Sequence, residues 1–293
     1  EWEVFLQTVP LTTTDLTTAE HRFKRPSIFQ KTCAHEIAEL SAKAWKAYRQ
    51  SDFDGAIRLF EQIRGFNPEN PSHLRGLMYG HYRAKDFVQA AEWAAKIVMH
   101  LEASVKQIAE AKDVQGDVNW QAGKHEAAQA FYQEVFALDA SDSLNREAQA
   151  KLATLGLQSS TALARIRKVL IGQTSSISRM NLLHEVIDEM PEWGLAFYLV
   201  GRQLHFDGEH AASNDYLVKA AAFGLPHQVL QIENTRLFAL NLYHLGQYEQ
   251  AISQFQRLAE DDALPLGLTL NAEDWIKRCE WEKQRGKAGQ MKN

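Results

Sequence analysis

Cysteine is scarce in this chain of 293 residues: Cys33 and Cys279 stand near opposite ends, with no metal-type spacing between them. A disulfide framework and a cysteine-built zinc site are therefore not expected, and the compartment stays open. The zinc-protease pattern His-Glu-x-x-His is also missing. The stretches HEIAE from His35 and HEVID from His184 begin that way but lack the second imidazole, leaving His35/Glu39 and His184/Asp188 on adjacent turns. Catalytic zinc takes three protein ligands, so both read as helix-surface pairs. Nor is there a nucleophile elbow, a phosphate-cradling glycine loop or a Cys-x-x-Cys pair. No catalysis, cofactor or metal is expected. A basic excess is lacking too: the net charge is -5 and the pI about 6.1, which argues against a nucleic-acid partner. No apolar run reaches the roughly 18 residues a membrane helix needs, so no direct membrane contact is expected. The chain opens on Glu1 rather than Met, which places any leader, anchor or further domain upstream. Oligomeric state is not readable.

What is present is repetition. Hydrophobic residues make up 45% and charged residues 24%, ordinary for a soluble globular chain, so the information lies in their order. SDFDGAIRLFEQI (51–63) and KDFVQAAEWAAKI (85–97) share Asp-Phe ahead of an alanine, and those alanines, Ala56 and Ala90, are 34 residues apart. Apolar residues at i, i+4 and i+7 share one helix face. One helical hairpin cannot bury that face alone, so neighbours must stack.

The spacing departs from 34 in three places. Ala90 to Ala128 is 38 residues without Gly or Pro from Phe87 to Gln115, which predicts a lengthened helix in the second unit. Ser213 to Ala251 is again 38, but Gly224-Leu225-Pro226 stops the helix and predicts extra loop. Ala128 to Arg179 is 51, room for one additional helix over SDSLNREAQAKLATLG (141–156). Leu144, Ala148, Leu152 and Leu155 form its apolar stripe, and it is expected to cap a first array. Ser159-Ser160-Thr161 then offers N-caps for a fresh start. At the far end NAEDWIKRCEWEKQR (271–285) reads as a second cap, with Trp275, Ile276 and Cys279 inward. The reading is all-α: an extended tether over 1–33, three repeats plus cap over 34–157, and one degenerate and two clear repeats plus cap and tail over 158–293. The Thr-rich TVPLTTTDLTTAEHRFKRP carries no helical apolar period, and GKAGQMKN reads as a frayed end. The basic run ARIRKVLIG (164–172) buries Leu163, Ile166, Val169 and Leu170 and leaves its cations on a solvated face.

The repeating units resemble the tetratricopeptide repeat family. The first reads Ser51-Asp52-Phe53, Ala56, Phe60, Ile63 and Pro68. The second reads Lys85-Asp86-Phe87, Ala90, Ala94 and Ile97, without the proline. The third reads Gly123-Lys124-His125, Ala128, Tyr132 and Val135. Gly208-Glu209-His210, Ser213, Leu217 and Ala220 follow, with Phe197 and Gly201 on the preceding helix, then Gly246-Gln247-Tyr248, Ala251, Phe255 and Leu258. A degenerate copy keeps Leu183, Val186 and Pro191 but has Arg179 in the alanine place. His125 and His210 stand where the family has an aromatic turn residue, and with His205 they read as packing.

That resemblance implies an α-solenoid whose units each contribute an inner helix to a concave groove for a partner peptide. Carried over residue by residue, the groove places are Ser41, Trp45, Tyr48 and Arg49 in the first unit. Arg75, Tyr79, Tyr82 and Arg83 follow in the second, and Asp113, Asp117 and Trp120 in the third. In the second array Tyr198, Arg202, His205, Arg236 and Tyr243 are equivalent. Aromatics and arginines are what binding hot spots are made of. Trp45, Tyr79 and Tyr82 are expected to form an apolar platform. Arg75 and Arg83 would pair with partner carboxylates, while Asp113 and Asp117 supply an opposite patch. The family's carboxylate clamp is absent, because Ser41, Trp45, Gly76, Glu110 and Val114 stand in its places. The expected function is a non-catalytic adaptor that binds a protein or peptide. The alternative is the recruiting arm of a larger membrane-bound or secreted enzyme lying upstream of Glu1.

Overall fold

The structure, a computed structural model, describes residues 12–23, 34–66, 68, 70–172 and 174–290. Among them are fifteen helices and no strand. The chain divides between Ala140 and Ser141 into two compact units. In the first, three hairpins follow one another: α2 (Ala34–Arg49) with α3 (Phe53–Phe66), α4 (Pro71–Arg83) with α5 (Phe87–Val98), and α6 (Val105–Gln121) with α7 (His125–Leu138). The second unit holds α8 (Asp142–Leu155), then α9 (Ser160–Leu170) with α10 (Ser176–Glu189) and α11 (Gly194–Phe206) with α12 (His210–Phe223). It ends with α13 (Gln228–His244), α14 (Tyr248–Ala259) and the long α15 (Leu266–Gln290). No helix among the described residues is long and apolar enough to cross a membrane.

One turn is written five times. In each clear repeat the second residue after the first helix takes a positive φ: Ser51 64°, Lys85 65°, Gly123 75°, Gly208 84° and Gly246 72°. The next residue sends its N–H back to a carbonyl of the preceding helix, as Asp52 does to Ala47 at 3.0 Å and Gln247 to Leu242 at 2.9 Å. This closes the helix with a left-handed residue and reverses the chain. Ser51 and Lys85 accept a conformation that costs an L-residue roughly 1–2 kcal/mol, which the hairpin packing must offset. That packing is close: a Cβ added at Gly76 would lie 2.4 Å from the Phe60 ring, and one at Gly201 2.8 Å from Leu217. Ala56, Ala90, Ala128, Ser213 and Ala251 are wholly buried at the matching place of each second helix.

Both 38-residue spacings are resolved alike, and differently from expectation. Helix α5 is not lengthened; it stops at Val98, and a Ser104–Gln107 capping box starts the 17-residue α6. The excess after α12 is likewise not loop: α12 ends at Phe223 beside Gly224, and the added residues form the 17-residue α13. In both places the first helix of the next hairpin absorbed the insertion, because its outer turn can lengthen without disturbing the packed middle.

The expected tether contains a helix, α1 (Thr13–Phe23). Its start is fixed by reciprocal bonding: Thr12 N–H donates to Asp15 Oδ2 at 2.8 Å, and Asp15 N–H to Thr12 Oγ1 at 3.1 Å. The same hydrogen bonds hold the Asp15 carboxyl below its usual range. This reciprocal capping specifies where the helix begins. Residues 1–11 and 24–33 of the expected tether lie outside the described residues. The expected frayed tail is helical through Gln290, and 291–293 lie outside the described residues. In α15, Cys279 is buried, with its thiol pushed up to about 11 by desolvation. Trp275 stacks on Phe255 at 5.9 Å.

Candidate functional site

In unit 1 the first helices pack against one another, α2 with α4 and α4 with α6, more than the second helices do. The first helices therefore line the inner side of the curve. Their side chains build a ladder. Arg75 of α4 lies over the rings of Trp45 (5.7 Å) and Tyr79 (5.4 Å), and Trp45 meets Tyr48 edge-on at 5.5 Å. Guanidinium faces on aromatic rings contribute about 0.5–1 kcal/mol each at exposed sites. Arg83 lies over Phe53 at 5.7 Å. Burial pushes the Tyr48 hydroxyl up, against the pull of Arg83 and Arg75, which places these groups within one field. Arg49 and Arg83 are exposed, while Trp45, Tyr48 and Tyr79 are half-buried.

The acidic side of this groove is spent internally. Arg75 holds the buried Glu110 of α6 by a fork, with Nε on Oε2 and Nη2 on Oε1 at 3.0 Å. Burial would lower the Arg75 pKa, but the hydrogen bonds and charge of Glu110 outweigh it and raise it. Asp117, 4% exposed, accepts from the Tyr82 hydroxyl at 2.6 Å and the Tyr132 hydroxyl at 2.8 Å. Both phenols are pushed far up, by burial first and by Asp117 next. Trp120 is fully buried and packs edge-on against Tyr132 at 6.1 Å. Asp117 and Trp120 are thus corrected from groove surface to interior. Both sit on the longer α6, whose C-terminal turns lie beneath α7. Asp113 remains half-exposed, so the opposite patch shrinks to one carboxylate. Glu110, earlier noted only as a missing clamp residue, proves to be the partner that positions Arg75.

In unit 2, α11 and α13 pack against one another more than α12 and α14 do, so the first helices again line the inner side. Here the inner side carries a passenger. Helix α8 packs against α9 and α13. It buries Asn145, Ala148, Ala150, Lys151 and Thr154, and Ala150 joins the core that contains Phe197, Tyr198 and Leu237. Arg146 of α8 reaches the buried Glu233 at 3.7 Å, a carboxylate that Arg236 already holds at 2.7 and 2.9 Å. Tyr198 is 2% exposed, and its hydroxyl is raised to about 12 by burial and then by Glu233. The expected cap of the first array is therefore an element of the second. Of the expected stripe only Ala148 is fully buried, Leu144, Leu152 and Leu155 being half-buried, and the rest of the buried set is small or polar.

The remaining groove places of unit 2 are partly engaged. Arg202 lies over the exposed ring of Phe206 at 5.3 Å. His205 Nδ1 and His210 Nδ1 stand 2.6 and 2.9 Å from Asn241 Oδ1, while Asn241 Nδ2 donates to Ser213 Oγ at 2.7 Å. With the amide oxygen as acceptor, both imidazoles carry their proton on Nδ1. His244 stacks on His210 with centroids 4.4 Å apart. Tyr243 meets Trp275 edge-on at 5.1 Å. No group of three or more metal-ligating side chains capable of holding an ion occurs among the described residues. His35 pairs with Glu39 at 3.4 Å on an exposed surface, and His184 packs on Tyr216. Arg165 of the basic run is tied to Glu185 (2.6 Å) and Glu189 (2.8 Å) of α10.

Comparison with known proteins agrees with the hairpin geometry. A family described as "Tetratricopeptide repeat" matches residues 41–105. No curated protein matches the chain. Among solved structures, MamA is similar at 21% identity, covering 61% of this chain and 93% of that one, with a TM-score of 0.35. The TPR2AB domain of yeast Sti1 in its pHSP90 complex shares 12% identity over 85% of this chain and all (100%) of that one, at a TM-score of 0.37. The TPR domain of P58(IPK) shares 13% over 87% and 67%, at 0.38. These scores lie below 0.5, so the fold rests on the helices themselves.

Proposed function

We propose that this chain, whose residues 41–105 match the tetratricopeptide repeat family, is a non-catalytic adaptor whose first unit holds a partner peptide on its inner face. The observation that carries this reading is the Trp45–Arg75–Tyr79 ladder beside the exposed Arg49 and Arg83. Nearby carboxylates are already committed: Glu110 to Arg75, and Asp117 to two tyrosines. What the groove offers outward is thus mainly aromatic and cationic, with the half-exposed Asp113 its remaining carboxylate. A partner segment with an apolar residue for the ladder and a carboxylate for Arg83 and Arg49 fits that chemistry. Large aromatic area at low entropy cost supplies affinity, and charge supplies orientation.

The test is peptide display against the full chain, followed by Arg49→Glu/Arg83→Glu. Enriched sequences should pair an aromatic or aliphatic residue with Asp or Glu, and the double variant should lose capture at least tenfold with an unchanged melt. Enrichment of basic or purely apolar peptides, or undiminished capture, would sink the reading.

A further inference from the structure

The inner side of unit 2 is filled by a segment of the chain itself, and the way it is filled shows what that surface accepts. Helix α8 lies against α9 and α13, shares a core with Tyr198 through Ala150, and reaches the Arg236–Glu233 pair through Arg146. Its seat takes small side chains, with Ala148 wholly buried, Ala150 3% exposed and Ala153 packed on the same core, together with the buried Asn145, Lys151 and Thr154. Its anchoring ion pair is the long member of a shared site, since Glu233 lies 3.7 Å from Arg146 but 2.7 Å from Arg236. Glu233 therefore keeps a cation whether or not α8 is present. Losing α8 therefore does not strand Glu233 as a buried lone carboxylate, which is the usual reason such a contact is costly to break. The helix is bounded by the left-handed Asp139 on one side and by Gly156 through Ser159 on the other.

We propose that α8 is an internal strap over a second binding groove, and that a partner helix of the same chemistry takes its seat when the strap leaves. That helix would carry a small-residue face and a guanidinium for Glu233. The proposal concerns unit 2 and stands apart from the peptide site of unit 1. It makes unit 2 a helix-in-groove receptor whose apparent affinity is reduced by the fraction of molecules with the strap closed.

The experiment uses the full chain and a fluorescent synthetic peptide of residues 140–157. In native-state hydrogen exchange, the amides of α8 should exchange at least tenfold faster than those of α11 and α13. Ala150→Glu/Ala153→Glu, which places two charges on the buried face of α8, should raise peptide affinity at least tenfold. Adding Glu233→Gln should then weaken it. Exchange of α8 in step with α11 and α13 would overturn the proposal. So would a charged variant that still unfolds cooperatively yet takes up no peptide. If that variant does not fold, exchange in the unsubstituted chain decides alone. A concentration-dependent dimer formed without peptide would assign the seat to a second copy and overturn the partner-helix reading.

Discussion

Two arrays of hairpins in one chain treat the same inner surface in opposite ways. In unit 1 the inner helices bond to one another, Arg75 to Glu110 and Tyr82 to Asp117, and leave an aromatic and cationic face outward. In unit 2 the inner helices bond to a helix that is not part of a repeat, and Tyr198 and Glu233 are buried beneath or beside it. The difference teaches that a repeat's place in its hairpin does not by itself make a residue available. Availability depends on what else the chain lays against that place. Small residues on α8 allow it to approach α9 and α13 closely, whereas the inner face of unit 1 carries bulky Trp45, Tyr48 and Tyr79.

The comparison can be broken hardest at Asp117. Asp117→Ala removes the acceptor of two tyrosine hydroxyls, and hydrogen bonds to charged groups contribute about 1.5–3 kcal/mol each. A loss of about 3 kcal/mol or more is expected in the unfolding of unit 1, read by urea denaturation, with unit 2 unmoved. A loss below about 1 kcal/mol would mean the pair of bonds is not structural. Next in size is Glu110→Gln, expected to cost about 1.5–3 kcal/mol while freeing Arg75 for a partner. Stability should fall as affinity for an acidic peptide rises, and a fall in both would show that Arg75 acts only as a strut.

A smaller effect separates the units by pH. Burial holds the folded pKa of His205 below its ordinary 6.5, opposed by its bond to Asn241 and aided by His210 and Arg236, with Glu233 pulling the other way. His244 is lowered by burial and by His210 and His205. As pH falls through 6.5 the unfolded chain binds these protons first, so stability present above 6.5 is lost as pH drops through the depressed folded values. The melting of unit 2 should therefore fall between pH 7.5 and pH values below 6.5, and His205→Gln should flatten that dependence. An unaltered slope in the variant would count against the histidine origin. Smallest in stability is Arg83→Ala, expected to change unfolding by no more than about 0.5 kcal/mol while lowering peptide capture. Unchanged capture would remove Arg83 from the site.

Helix identity and pairing were legible because the 34-residue spacing and the buried small residues, Ala56 through Ala251, are local signals. The placement of Trp45 and Tyr79 on the first helices of their hairpins was legible for the same reason. The placement of α8 was not, since its partners α9 and α13 are fixed by tertiary packing and its buried face is small and polar rather than leucine-rich. The role of Asp117 was hidden because a carboxylate on a helix reads as solvent-facing until two hydroxyls are found against it. Helix α1 could have been found from Thr12 and Asp15, a three-residue capping spacing that needs no apolar period.

Cys279 gives the molecule a built-in clock. Its thiol lies on the buried side of α15 and is held away from the reactive thiolate form, and thiolate is what alkylating reagents attack. Modification at that position, followed by peptide mass, therefore counts the moments when α15 lifts from α14. A chain can thus report the fraying of its own terminus without any label being introduced.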